Sequence, residues 1–127
     1  MASPPTLSRD GQLTPNAVVL NLMELGRELD AVVRSLKDAE IDAVTKRHTA
    51  DIEESKAYVG AEGPVETRKH LARIAADHFE SEALVAESVV RYLRQRVNAI
   101  STRIDIGRSL GAALRAELSN LGGADGP

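Results

Sequence analysis

The sequence predicts an all-α fold: a long antiparallel helical hairpin, coiled-coil-like, with a short C-terminal helix and completed by dimerisation. Three observations predict it. Apolar residues recur at alternating steps of four and three along two long stretches, the spacing that keeps one edge of a helix against a partner. Between the stretches lies Gly60-Ala61-Glu62-Gly63-Pro64, a helix stop followed by a helix start. Aromatic side chains are scarce: Phe79, Tyr58 and Tyr92 are the only ones among 127 residues. Ala, Leu, Val and Ile must therefore fill the interior, which suits narrow helix–helix seams better than a thick core.

Residues 1–13 read as a flexible N-terminal arm, because Pro4, Pro5 and Gly11 oppose helix and polar residues dominate. A helical domain is predicted over 14–121, with helices over about 15–59, 64–104 and 106–120. Thr14 is placed to cap the first helix, and Pro15 fits the first helical position, where its missing N–H costs nothing. Val18, Leu22, Leu25, Leu29, Val32, Leu36, Ala39 and Ala43 then hold one frame for three and a half heptads. Beyond Ala43 the frame meets Lys46, Ala50 and Glu53, and a neighbouring frame of Ile41, Val44, His48, Ile52 and Val59 is expected to take over. The short connection predicts antiparallel helices.

The second helix carries the stronger pattern. Ala72, Ala76, Phe79, Ala83, Ala86, Val90, Leu93, Val97, Ile100 and Ile104 keep the steps without a polar interruption. Leu71, Ala75, Val85 and Val89 flank that row and widen the apolar face enough to touch two neighbours. Two uses of the seam are open: it closes the hairpin within one chain, or Phe79, Val90, Leu93, Val97, Ile100 and Ile104 form the seam of a homodimer. At Asp105-Ile106-Gly107 a break is expected. Leu110, Leu114, Leu118 and Leu121 then support a third helix or a kinked continuation, capped by Asp105 and weakened by Gly107 and Gly111. Residues 122–127 read as a flexible tail.

Composition and spacing argue against catalysis. The chain has no cysteine, hence no thiolate metal site or cysteine nucleophile. No serine motif, phosphate loop or paired metal-ligand motif is present. His48, Asp51 and Glu54 share a helical face, and His78 with Glu82 forms an i, i+4 pair; both are expected to be solvated polar pairs, not ligands. The expectation is a protein that is not an enzyme, holds no cofactor or metal, and takes no small-molecule substrate. No apolar run approaches the roughly 20 residues of a membrane span, and Met1 to Gln12 lack the apolar stretch of a secretory leader.

Charge is unevenly dealt. From Glu24 to Glu54 there are nine acids against five bases, whereas from Arg91 to Arg115 there are six arginines against Asp105 alone. Arg91, Arg94, Arg103, Arg108 and Arg115, with Tyr92 available to stack, are the candidate surface for nucleic acid or another acidic partner. The competing expectation is that these arginines pair with Glu24, Glu28 and Asp30 of the antiparallel first helix.

Two motifs point to relatives. The run Ser55-Lys56-Ala57-Tyr58-Val59-Gly60-Ala61-Glu62-Gly63-Pro64-Val65-Glu66-Thr67-Arg68-Lys69 is followed by Arg103-Ile104-Asp105-Ile106-Gly107-Arg108-Ser109-Leu110 and Arg115-Ala116-Glu117-Leu118. Over residues 50–118 the chain resembles a family of short helical proteins of unassigned function, encoded by phages and prophages of actinobacteria. The resemblance implies a small accessory protein made in the host bacterial cytoplasm, from genome regions rich in replication and recombination genes. It carries over no site residue. The alternative expectation is a structural or assembly protein of the phage particle.

Overall fold

A computed structural model describes residues 13–124, which form two helices, α1 (Pro15–Gly60) and α2 (Val65–Ala124), packed as a helical hairpin. Of the predicted arm only Leu13 lies within the described residues. Of the predicted tail, residues 122–124 continue α2 and residues 125–127 lie outside the description.

The helix ends follow local chemistry. Thr14 Oγ1 accepts a hydrogen bond from the Ala17 amide at 3.1 Å, satisfying one of the orphan donors of the first turn. Gly63 has φ 110°, a conformation that costs a glycine little and a side-chain-bearing residue much, so the chain reverses there. Arg68 fastens the turn. Its guanidinium lies 4.4 Å from the centre of the Tyr58 ring, and its Nη2 donates to the Tyr58 carbonyl at 3.1 Å. The last turn of α1 is thus tied to the first turn of α2 by stacking and by a hydrogen bond to a carbonyl that also accepts from the Ala61 amide at 3.3 Å.

The chain divides into two compact units. The turn unit, Arg34–Arg94, has an interior of small residues: Ala43, Ala50, Ala72, Ala76, Ala83 and Ala86 are buried, joined by Val90. Leu36 and Ala39 pack on the cluster of Ala43, Ala86 and Val90. In this unit the first frame of α1 does not hand over to a second one, as the sequence suggested. Ala50 is buried and Ala57 half-buried, whereas Ile41, Val44, His48, Ile52 and Val59 are all exposed. Arg47 and Glu53 sit half-buried beside the alanines; long side chains can lay their stems along a seam while keeping their charges wet.

The termini unit takes the described residues up to Val33 and from Gln95 onward. Its interior has larger residues: Val18, Leu25, Val32 and Ile100 are buried. Two glycines complete it. Gly107 and Gly111 are buried and fall at the next two seam positions after Ile104, so the steps of four and three continue through them to Leu114. The expected break at Asp105 to Gly107 is therefore absent. No separate third helix forms, and Asp105 is an exposed residue inside α2, not a cap.

The reason is contact. A Cβ on Gly107 would stand 2.7 Å from Leu22 Cδ2, so Leu22 occupies the space that a side chain would need. The helix weakness of glycine is offset there by close packing. Gly26, by contrast, is open: a Cβ there would meet nothing within 4 Å. Gly26→Ala is expected to raise stability by about 1 kcal/mol, read as an increase in melting temperature. Gly107→Ala should show no such gain, because Leu22 must move; an equal gain at both positions would contradict the packing.

The residues of the predicted oligomer seam are already covered, wholly or in part, within the single chain. Val90 and Ile100 are buried and Phe79, Leu93, Val97 and Ile104 are half-buried within the single chain. The hairpin uses that edge for its own interior. Among the described residues no helix is long and apolar enough to cross a membrane.

Candidate functional site

Arg47 organises the charges of the turn unit. Its Nε and Nη2 donate to the two carboxylate oxygens of Glu87 at 3.1 and 2.8 Å, and its Nη1 donates to Glu80 at 2.6 Å. This is the two-pronged geometry in which a guanidinium matches a carboxylate. The hydrogen bonds from Glu87 and then Glu80 hold Arg47 charged well above its ordinary range. Reciprocally, the hydrogen bond from Arg47 keeps the Glu87 carboxyl below the usual carboxylate range. The Arg47 fork joins α1 to α2 within this unit. It fixes which turn of one helix faces which turn of the other.

The depressed Glu87 value has a consequence for pH. Its contribution to stability is complete above the ordinary glutamate value of about 4.3 and is lost as pH falls through the lower native value. Denaturation midpoints are expected to fall below about pH 4, and Glu87→Gln should shrink that acid-dependent part.

Beside this network runs a groove of about 670 Å³, lined by Glu40, Ala43, Val44, His48, Asp51, Val90, Arg91 and Arg94. Of the arginines predicted to bind, Arg91 and Arg94 lie here, and both are exposed. Arg91 Nη2 donates to Ser88 Oγ at 2.9 Å, and Arg94 approaches Glu40 at 3.8 Å. Exposed pairs of this kind hold little energy, so both guanidiniums stay available. Tyr92 is exposed on another face of α2. His48 and Asp51 line the groove, while His78 pairs with Glu82 at 3.3 Å. Among the described residues no three His, Cys, Asp or Glu come together as a metal site.

The other candidates belong to the termini unit. Arg96 is half-buried and forms its ion pair with Glu28, so the acid-pairing expectation holds for that residue. Arg103, Arg108 and Arg115 are exposed and form no ion pair among the described residues. Arg108 and Arg115 are seven residues apart and border one groove of about 410 Å³, formed with Pro15, Val18, Val19, Leu22 and Gly111. Arg103 lies five residues from Arg108, about 140° around the helix, and shares the face of Arg96 instead. The arginine run therefore does not form one surface. Linear density along a helix says nothing of facing until each residue is placed on the 3.6-residue turn.

The seam glycines and the Arg47 fork were the residues that sequence reasoning missed. The signal for the glycines was present: both fall on the steps of four and three. Arg47 had no signal beyond two glutamates seven residues apart, Glu80 and Glu87, on the facing helix.

No known protein family, no curated protein and no solved structure matches the chain.

Proposed function

We propose that the chain is a non-enzymatic binding protein, a phage or prophage accessory of the kind its motifs resemble. In this reading it works as a homodimer in the bacterial cytoplasm. It engages an acidic macromolecule, a nucleic acid or a protein of the replication or recombination machinery, through the arginines of the termini unit. The observation that carries the reading is the state of Arg108 and Arg115. Both are exposed and without an acidic partner among the described residues, at the rim of a groove with an apolar wall. An apolar wall with two guanidiniums above it offers burial and charge together, which suits a macromolecular ligand better than free solvent does.

Fluorescence anisotropy with a labelled DNA duplex over a salt series tests it. If Arg108 and Arg115 each meet a phosphate, their joint replacement by glutamine lowers the salt slope by about 1.8. Absence of binding at low salt removes nucleic acid as the ligand. A pull-down from infected cells, with and without nuclease, then reads whether an acidic protein takes that place. Capture of nothing by the wild type, or equal capture by the double variant, overturns the reading.

A further inference from the structure

The groove of the termini unit makes two demands on an occupant. From α1 it is lined by Pro15, Val18, Val19 and Leu22, and Val19 is 48% exposed. Pro15 to Leu22 is two turns of helix. From α2 it is lined by Arg108, Gly111 and Arg115, again two turns. Arg108 and Arg115 thus start about 10 Å apart along the axis and within roughly 20° of each other around it. Gly111, between them, brings no side chain.

Arg115 turns back toward that gap. A Cβ on Gly111 would stand 3.5 Å from Arg115 Nη1 and 3.5 Å from Val18 Cγ1. The guanidinium therefore stands beside the apolar lining, with no carboxylate paired to it among the described residues. Whatever fills the groove must offer carboxylates or phosphates on the α2 side and apolar surface on the α1 side.

A phosphate chain meets only the first demand. A duplex carries one charge per about 1.7 Å of its axis. This face of α2 offers it two bases, and Asp105, three residues before Arg108, is exposed and repels it. Val19 and Leu22 gain nothing from phosphates. A protein helix lying along the two turns meets both demands. Its i, i+3, i+4 and i+7 positions set apolar side chains on Pro15, Val19 and Leu22. Carboxylates beside that stripe accept from Arg108 and Arg115 in the fork geometry that a guanidinium favours.

Resting on the acidic-partner reading of the preceding section, we propose that the occupant is an acidic amphipathic helix of a protein partner, with its apolar stripe on α1 and its carboxylates toward α2.

Fluorescence anisotropy on the full chain tests it with three labelled probes. One is a helix of leucine, alanine and glutamate, about 18 residues long, with glutamates flanking a leucine stripe. The second has lysine for every glutamate, and the third is a DNA duplex. The glutamate helix is expected to bind and the lysine helix to stay free. Arg108→Gln and Arg115→Gln should each weaken the glutamate helix about tenfold. Val19→Ser removes apolar contact without touching charge. It should weaken that helix about fivefold and leave any duplex binding unchanged. All three positions are exposed, so circular dichroism and melting temperature of the variants should match the wild type. Failure of the glutamate helix to bind, equal binding of the lysine helix, or wild-type affinity in Val19→Ser overturns the inference. Duplex binding without the glutamate helix overturns it and leaves the preceding reading standing; that reading falls when the duplex and the pull-down fail too.

Discussion

Replacing Ile100 by alanine is expected to lower the unfolding free energy by about 2 to 4 kcal/mol. Ile100 is 2% exposed, at the centre of the termini unit. The substitution removes three carbons, about 2.4 kcal/mol by transfer at roughly 0.8 kcal/mol each, and leaves a space that its neighbours fill only in part. Val18, Leu25 and Val32 are the other large buried side chains of that unit. Few residues thus share the load, and the loss of one is felt fully. Urea denaturation followed by circular dichroism reads the effect. Ile106→Ala is the control: Ile106 is exposed on the same helix, and its change should stay within about 0.5 kcal/mol.

Enlarging Ala83 to leucine is expected to cost about 3 kcal/mol, by the opposite mechanism. Ala83 is 0% exposed, in a seam built from alanines. Small residues let two helix backbones approach closely, and the Arg47 fork to Glu87 and Glu80 is set at that separation. A leucine has no void to enter. It must either take a strained rotamer or push the helices apart, which loosens neighbouring alanine contacts and stretches the ion pairs. The same denaturation experiment measures it. Leu84→Ala next door, at a position exposed to solvent, should change stability little. If Ala83→Leu proved neutral, the close alanine packing of the turn unit would be wrong.

These expectations rest on features of unequal legibility. Thr14 with Pro15, and Gly60 to Pro64, announced the helix ends through side-chain chemistry that acts within a few residues, so sequence sufficed. The row from Ala72 to Ile104 was legible because ten apolar positions at helical steps leave one edge to bury. Gly107 and Gly111 read as residues that weaken a helix, since a glycine's intrinsic cost is local, whereas the contacts with Leu22 and Val18 that offset it come from residues far away in the chain. Likewise Ile41 and Val44 looked like a second seam; exposure shows that apolar character on α1 exceeded what one neighbouring helix could cover. For the candidate site, sequence identified the arginines but not their facing. Pairing of Arg96 with Glu28, and the separation of Arg103 from Arg108, depend on which side of α2 each residue occupies.

The account turns on α2 passing without interruption through Asp105, Ile106 and Gly107, with its glycines seated against α1. Residue-resolved amide hydrogen exchange measures this most directly. The amides of residues 104–108 are expected to be protected as strongly as those of residues 97–101. Fast exchange confined to residues 105–107, with protection resuming beyond Gly111, would mean a broken helix and would contradict the account.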